Sequence, residues 1–284
     1  MRVKRDRRNA GFGLCQRLRA GPLPLDVRMF AMDQLYDQSL SNMENTLHDL
    51  SQRVPQPQRV PYKDSFVFRY AEKNIHQALI QKLARLISSP HAARLLMEHG
   101  FVQEQAALQR VLDEIREDIS FLAFAVIFNN KTPLHQTYLD AFFEEEFDAD
   151  TAMASTQKRP MVQRKKIRAY NTRCLGAAMD FSSNEASRTV SKTYSGYVHA
   201  ASPQIMDMYG GNPPRFHVRG MLGTERQQEH RDDLWNYFYR SILAFSFAAK
   251  AFGDEVLFAK IHEFTIEFER LSGKNYGPSK QNQS

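Results

Sequence analysis

Residues 101–128, FVQEQAALQRVLDEIREDISFLAFAVIF, decide the fold. Leu108, Val111, Leu112, Ile115, Ile119 and Leu122 return at spacings of three and four, the period of one face of an α-helix. The run is apolar enough to stand in the middle of a bundle. Its apolar part, 119–128, is about half the roughly 20 residues a membrane span needs, and so is 241–249, so neither crosses a bilayer.

C-terminal to it, residues 129–133 break the pattern, and a helix over about 134–147 ends in Glu144, Glu145, Glu146, Asp148 and Asp150. Residues 148–160 are small, polar and non-periodic and read as the main internal linker. A basic cluster follows: Lys158, Arg159, Arg164, Lys165, Lys166, Arg168 and Arg173. Two readings of it stand: neutralisation by the acidic helix end inside the molecule, or a patch over 158–173 for RNA or a nucleotide. Ser182 and Glu185 have capping-box spacing and open a helix that Pro203 ends. Residues 208–223 are loop with a small hairpin near 215–218. Two last helices, about 225–252 and 254–270, carry Leu234, Phe238, Ile242 and Phe245, then Val256, Ile261, Phe264 and Phe268; the tail over 273–284 is polar and flexible.

N-terminal to it, 91–100 form a short helix closed by Gly100. The periodicity of Phe68, Ala71, Ile75, Leu79, Leu83 and Leu86 predicts a helix ending at Ser88-Ser89-Pro90. Before the proline-rich segment 55–61, Tyr36, Leu40, Met43, Leu47, Leu50 and Val54 form a short heptad stripe, packed on the body or on a second copy. Of 38 basic and 32 acidic side chains, residues 1–28 hold eight and two, so the remainder is charge-neutral. This leader reads as a disordered basic arm, a transit peptide, or translated sequence upstream of a start at Met29, Met32 or Met43; the last, or an inert tail, fits the balance best. The domains expected are thus a leader (1–28), an amphipathic helix with its linker (29–61), a helical bundle (62–272) and a tail. Strand signals are almost absent.

Two cysteines without metal-ligand spacing fit a reducing, cytoplasmic setting and exclude a disulfide framework. Nucleotide loops, zinc-protease, serine-hydrolase and CxxC patterns are missing, and no cofactor or metal is implied. Three groups remain as chemistry. Arg110 and Glu114 stand four apart on the 101–128 helix, where the plain reading is a weak surface ion pair. Arg188, Lys192, Ser195, His199 and Ser202 share one polar stripe, opposite Val190, Tyr194, Tyr197, Val198 and Ala201. Arg94 and His99 meet the R-x4-6-H count of small helical nucleases, but five residues set them about 140° apart on a helix.

ARLLMEHGFVQEQAALQRVLDE (93–114) with the later YSGYVHAASP (194–203) resembles a family of uncharacterised bacterial all-helical proteins distantly akin to the HEPN superfamily. That superfamily includes RNA-cutting toxins, defence proteins and inactive binding modules. The resemblance covers roughly 64–270 and singles out Gly100, Arg110, Glu114, Tyr194, His199 and Ser202. The expectation is an all-α, irregular multi-helix bundle with a polar pocket of Arg110, Glu114 and His199, lined by Tyr194, Ser195 and Ser202. Two functions follow. In one the chain is a binding or interaction module, with a homodimer as one form; in the other it is an RNA- or nucleotide-processing protein in which His199 moves a proton and Arg110 holds a phosphate.

Overall fold

The computed structural model describes residues 25–145, 149, 151, 153–156, 161–176 and 193–274, with the side chains of 25–30 left aside. The predicted Ser182–Glu185 cap, Arg188, Val190, Lys192, Lys158, Arg159, Glu146, Asp148 and Asp150 lie outside them. The described elements run α1 (Leu25–Ser51), β1 (Gln58–Tyr62), β2 (Ser65–Arg69), α2 (Ile75–Glu98), α3 (Val102–Ile127), α4 (Pro133–Phe142), α5 (Arg164–Leu175), α6 (Ser202–Met206), β3 (Tyr209–Gly210), β4 (Arg215–Phe216), α7 (Glu225–Ala251) and α8 (Glu255–Ser272). A further helical segment occupies 193–198. The fold is largely all-α, with two small antiparallel hairpins among the described residues, one of them in the expected 208–223 loop.

Helix α3 is the centre, packed on α2, α5 and α7. Leu112, Ile119 and Leu122 are fully buried, as the stripe requires, and Phe121, Ala123 and Phe124 bury the other sides of its C-terminal half. The heptad stripe of α1 lies on the body, where Tyr36, Leu40, Met43 and Leu50 are each at most 5% exposed. The Tyr36 ring stacks on Phe238 at 4.1 Å between centroids. A second aromatic knot joins α3, α4 and α5: Phe121 stacks on His135 at 4.0 Å and Tyr170 closes edge-on. The buried His135 accepts from the Thr132 amide through Nδ1 and donates Nε2–H to the Phe121 carbonyl, and burial holds its pKa down.

Four expectations give way. The helix expected to run to Pro203 stops at 198, and Pro203 lies instead in the first turn of α6, where its fixed φ suits a helix start. The helix expected to stop at Pro90 and the short helix at 91–100 are one continuous α2. A proline inside a helix forfeits one ladder hydrogen bond. Here Leu86, Ile87, Pro90, Ala93 and Met97 are buried together, and that packing holds the helix through the break. Its end is as read: Gly100 sits at φ +75 directly after the C-cap His99. Phe68 is not helical. Gln58–Tyr62 and Ser65–Arg69 pair as an antiparallel hairpin, with Pro61 opposite Phe66 on a strand whose outer edge needs no amide. Helix α2 starts seven residues later, where the Asn74 side chain accepts from the amides of His76 and Gln77. Finally, α4 ends at Phe142, short of the predicted 147.

Candidate functional site

Arg110 and Glu114 form the i,i+4 pair that their spacing suggests, 2.7 Å apart, with 20% and 40% of their side chains exposed. His199 lies beyond the helical segment 193–198, on an exposed turn, its backbone N–H donating to the Ser195 carbonyl and Ala200 following at φ +52. Among the described residues no hydrogen bond or ion pair links the His199 ring to Arg110 or Glu114. Ser202 is exposed at the start of α6 and Ser195 is half-buried. Arg94 and His99 do not converge: Arg94 reaches Asp37 on α1 at 2.5 Å, and the His99 ring bonds the Leu95 carbonyl of its own helix.

Tyr194 leads instead into a polar seam that sequence reading missed. Its hydroxyl donates to Asp233 at 3.1 Å, and Tyr197 donates to Asp207 at 3.1 Å. The single phenol proton of Tyr197 is thereby used, so His230 Nε2, 3.3 Å away, is the donor to its oxygen. Arg226 bridges Asp207 and Glu229, and Arg240 pairs with the buried Asp113, which also accepts from Gln109. Arg226, His230, Asp233, Tyr237 and Arg240 recur along α7 at steps of four and three, a stripe as regular as any apolar one in the chain. That spacing is the signal the sequence offers, on the side of the helix away from Leu234, Phe238, Ile242 and Phe245.

The electrostatics of the seam favour neutral, hydrogen-bonded forms. Burial, then Asp233, pushes the Tyr194 phenol well up; burial, then Asp207, pushes Tyr197 up to about 12. Burial holds the His230 pKa down. Asp113 and Asp207 are neutralised by arginines, and the phenols serve as donors. What is left over is buried: both amide atoms of Gln105, Oε1 of Gln109 and Nδ1 of His230 find no partner. The seam ties α3, α7 and 193–198 together through these hydrogen bonds and ion pairs.

The basic cluster also turns inward. Arg164 binds Glu117 at 2.9 Å, Asp118 and the Glu114 carbonyl, and Arg168 binds Glu117 at 2.7 Å. Neutralisation inside the molecule therefore holds for these two, but the carboxylates belong to α3. Of the acidic end of α4, Glu145 pairs with Arg69 of β2. Lys165, Lys166 and Arg173 remain exposed.

The hairpin of β1 and β2 is an open apolar surface. Val60, Tyr62, Phe66 and Phe68 are each 40% or more exposed, and no described element packs over either sheet face. Strand alternation puts Arg59, Pro61, Phe66 and Phe68 on one face. The Arg59 guanidinium lies 4.5 Å from the Phe66 ring centre, and Phe68 meets Phe66 edge-on at 5.4 Å. At the turn, Lys63 lies 5.4 Å from the Tyr62 ring. Residues 52–73 carry five basic side chains and two acidic ones. Arg53 and Arg69 have carboxylate partners, whereas Arg59 and Lys63 rest on rings.

Among the described residues no helix is long and apolar enough to cross a membrane, and no group of three His, Cys, Asp or Glu side chains could hold a metal ion. In comparisons with known proteins, no family model, curated protein or solved structure matches the chain.

Proposed function

We propose that the protein is a binding module that takes a single strand of nucleic acid on the hairpin of β1 and β2. One observation carries this reading: a cation stacked on one of two adjoining exposed phenylalanines, on a sheet face that no described element covers. Single strands are held by bases stacked on aromatic rings and by cations along the backbone. Phe66 and Phe68 supply the ring faces; Arg59 and Lys63 supply positive charge not spent on carboxylates. The seam around Asp233 and the pairs of Arg164 and Arg110 are the frame. Of the two expected classes, we favour binding over catalysis, because the carboxylates of the seam are held by arginines and phenols and His199 stands on the surface, away from them.

The test is fluorescence anisotropy of the full chain with a labelled oligouridylate at low salt. Phe66→Ala with Phe68→Ala should weaken binding about tenfold or more, since each stacked base contributes about 1–3 kcal/mol. Lys165→Gln with Lys166→Gln should leave it unchanged. The opposite pattern would move the strand to the 158–173 cluster, and a wild-type chain that binds nothing would end the reading.

A further inference from the structure

Helices α1, α2, α7 and α8 meet around a cavity of about 610 Å³ that the hairpin reading does not use. That volume lies within the roughly 300–1,000 Å³ typical of small-molecule sites. Its wall is apolar where it is deepest. Tyr36, Met97 and Leu234, each at most 5% exposed, line it together with the half-buried Met32. The Tyr36 ring is fixed by its stack on Phe238, so its hydroxyl has a defined position. That hydroxyl has no hydrogen-bond partner among the described residues, although the residue is 95% buried (5% exposed). Its electrostatic neighbours are Asp33, Asp232 and Arg94, all on the cavity wall. Burial foremost, and then the two carboxylates, push the phenol up, so it stays an O–H group.

Both signs of charge stand at the mouth. Arg94, which holds Asp37 at 2.5 Å through one nitrogen, brings another to 4.0 Å from Asp33, and Lys274, which donates to the Asp232 backbone carbonyl at 3.0 Å, stands 3.9 Å from its carboxylate. Both carboxylate distances exceed hydrogen-bond reach, so neither cation closes on the carboxylate beside it on the cavity wall. An anion alone would leave Asp33 and Asp232 facing it, and a cation alone would meet Arg94 and Lys274. We propose that this cavity binds a small zwitterion with an apolar body, a large apolar amino acid or a short apolar peptide. The carboxylate would lie against Arg94 and the Tyr36 hydroxyl, the ammonium against Asp33 and Asp232, and the apolar body on Met32, Met97 and Leu234.

Titration calorimetry of the full chain with L-phenylalanine, L-leucyl-L-phenylalanine, octanoate and octylamine tests this. One of the two zwitterions should bind at least tenfold more tightly than either singly charged probe, and which one binds separates the amino acid from the peptide. Tyr36→Phe keeps the stacked ring and should weaken that binding about tenfold, the worth of one hydrogen bond to a charged group. Met32→Trp, which fills the mouth from a half-buried position, should abolish binding while the melting temperature holds. Octanoate or octylamine binding as well as the zwitterions would overturn the proposal. So would silence from all four probes at millimolar concentration, or unaltered binding in both variants. The hairpin reading stands or falls separately, since none of these residues touches it.

Discussion

Gln105 carries a full amide into the middle of the molecule, with 0% exposure and no partner for either end. A buried polar group left unpaired costs about 1–3 kcal/mol, so an apolar side chain of similar volume should be better there. Gln105→Met is expected to raise urea-unfolding stability by about 1 kcal/mol, and a loss of stability would mean that the amide has a partner in solution. His230, on the facing helix, makes the seam sensitive to acid. Its folded pKa lies below the ordinary value of about 6.5, so the unfolded chain takes up its proton first as the pH falls. Its contribution is whole above that pH and is lost as the pH falls through the window beneath it. Wild-type stability should therefore decline from about pH 6.5 downward, and His230→Gln should flatten the decline. Equal slopes in the two proteins would remove His230 as the cause. At this scale Tyr194 stood out only through the family resemblance, because periodicity puts it on the apolar side of its helix, opposite the polar stripe. Its partner Asp233 did not stand out, because it sits 39 residues away on a helix read only for its apolar face.

Between elements, two arginine–carboxylate contacts of the same chemistry differ in weight. Arg110 and Glu114 are neighbours on α3 and partly exposed, so Glu114→Ala should cost no more than about 0.5 kcal/mol. Asp118 receives Lys82 from α2 and Arg164 from α5 and keeps only 8% of its side chain exposed. Removing it strands Lys82 and leaves Arg164 with Glu117 alone as a carboxylate partner, and Asp118→Ala should cost about 3 kcal/mol. Urea denaturation of the two variants measures the contrast, and similar losses would show that burial does not decide it. Apolar period alone revealed α3, α7 and α8, whose stripes are long and uninterrupted. It failed over 68–75, where Phe68, Ala71 and Ile75 have helical spacing by coincidence. There the alternation of Arg59, Pro61, Phe66 and Phe68 across two short strands was the governing period. It failed again at Pro90, where packing that is invisible in a linear pattern outweighs one missing hydrogen bond.

For the whole molecule, the hairpin should be separable from the bundle. The side chains of its two strands lie outside the main apolar core, so replacing residues 58–69 by a short Gly/Ser linker should leave the calorimetric melting temperature within a few degrees and remove oligouridylate binding. A large fall would make the hairpin a structural brace. The bundle itself was legible because its class follows from helix period and the scarcity of strand signals. The binding surfaces were not, since one rests on strand register and the other on four helix ends that meet only in three dimensions. Helix α7 belongs to both sides of this architecture. Asp233 faces Tyr194, whereas Asp232, the adjacent residue, faces Lys274 at the cavity, and Phe238 lies under Tyr36. A rod gripped on opposite sides cannot turn to suit one neighbour without letting go of the other. Stretched between the start of α1 and the end of α8, the molecule should therefore resist up to a single threshold force and give way in one rip rather than peel helix by helix.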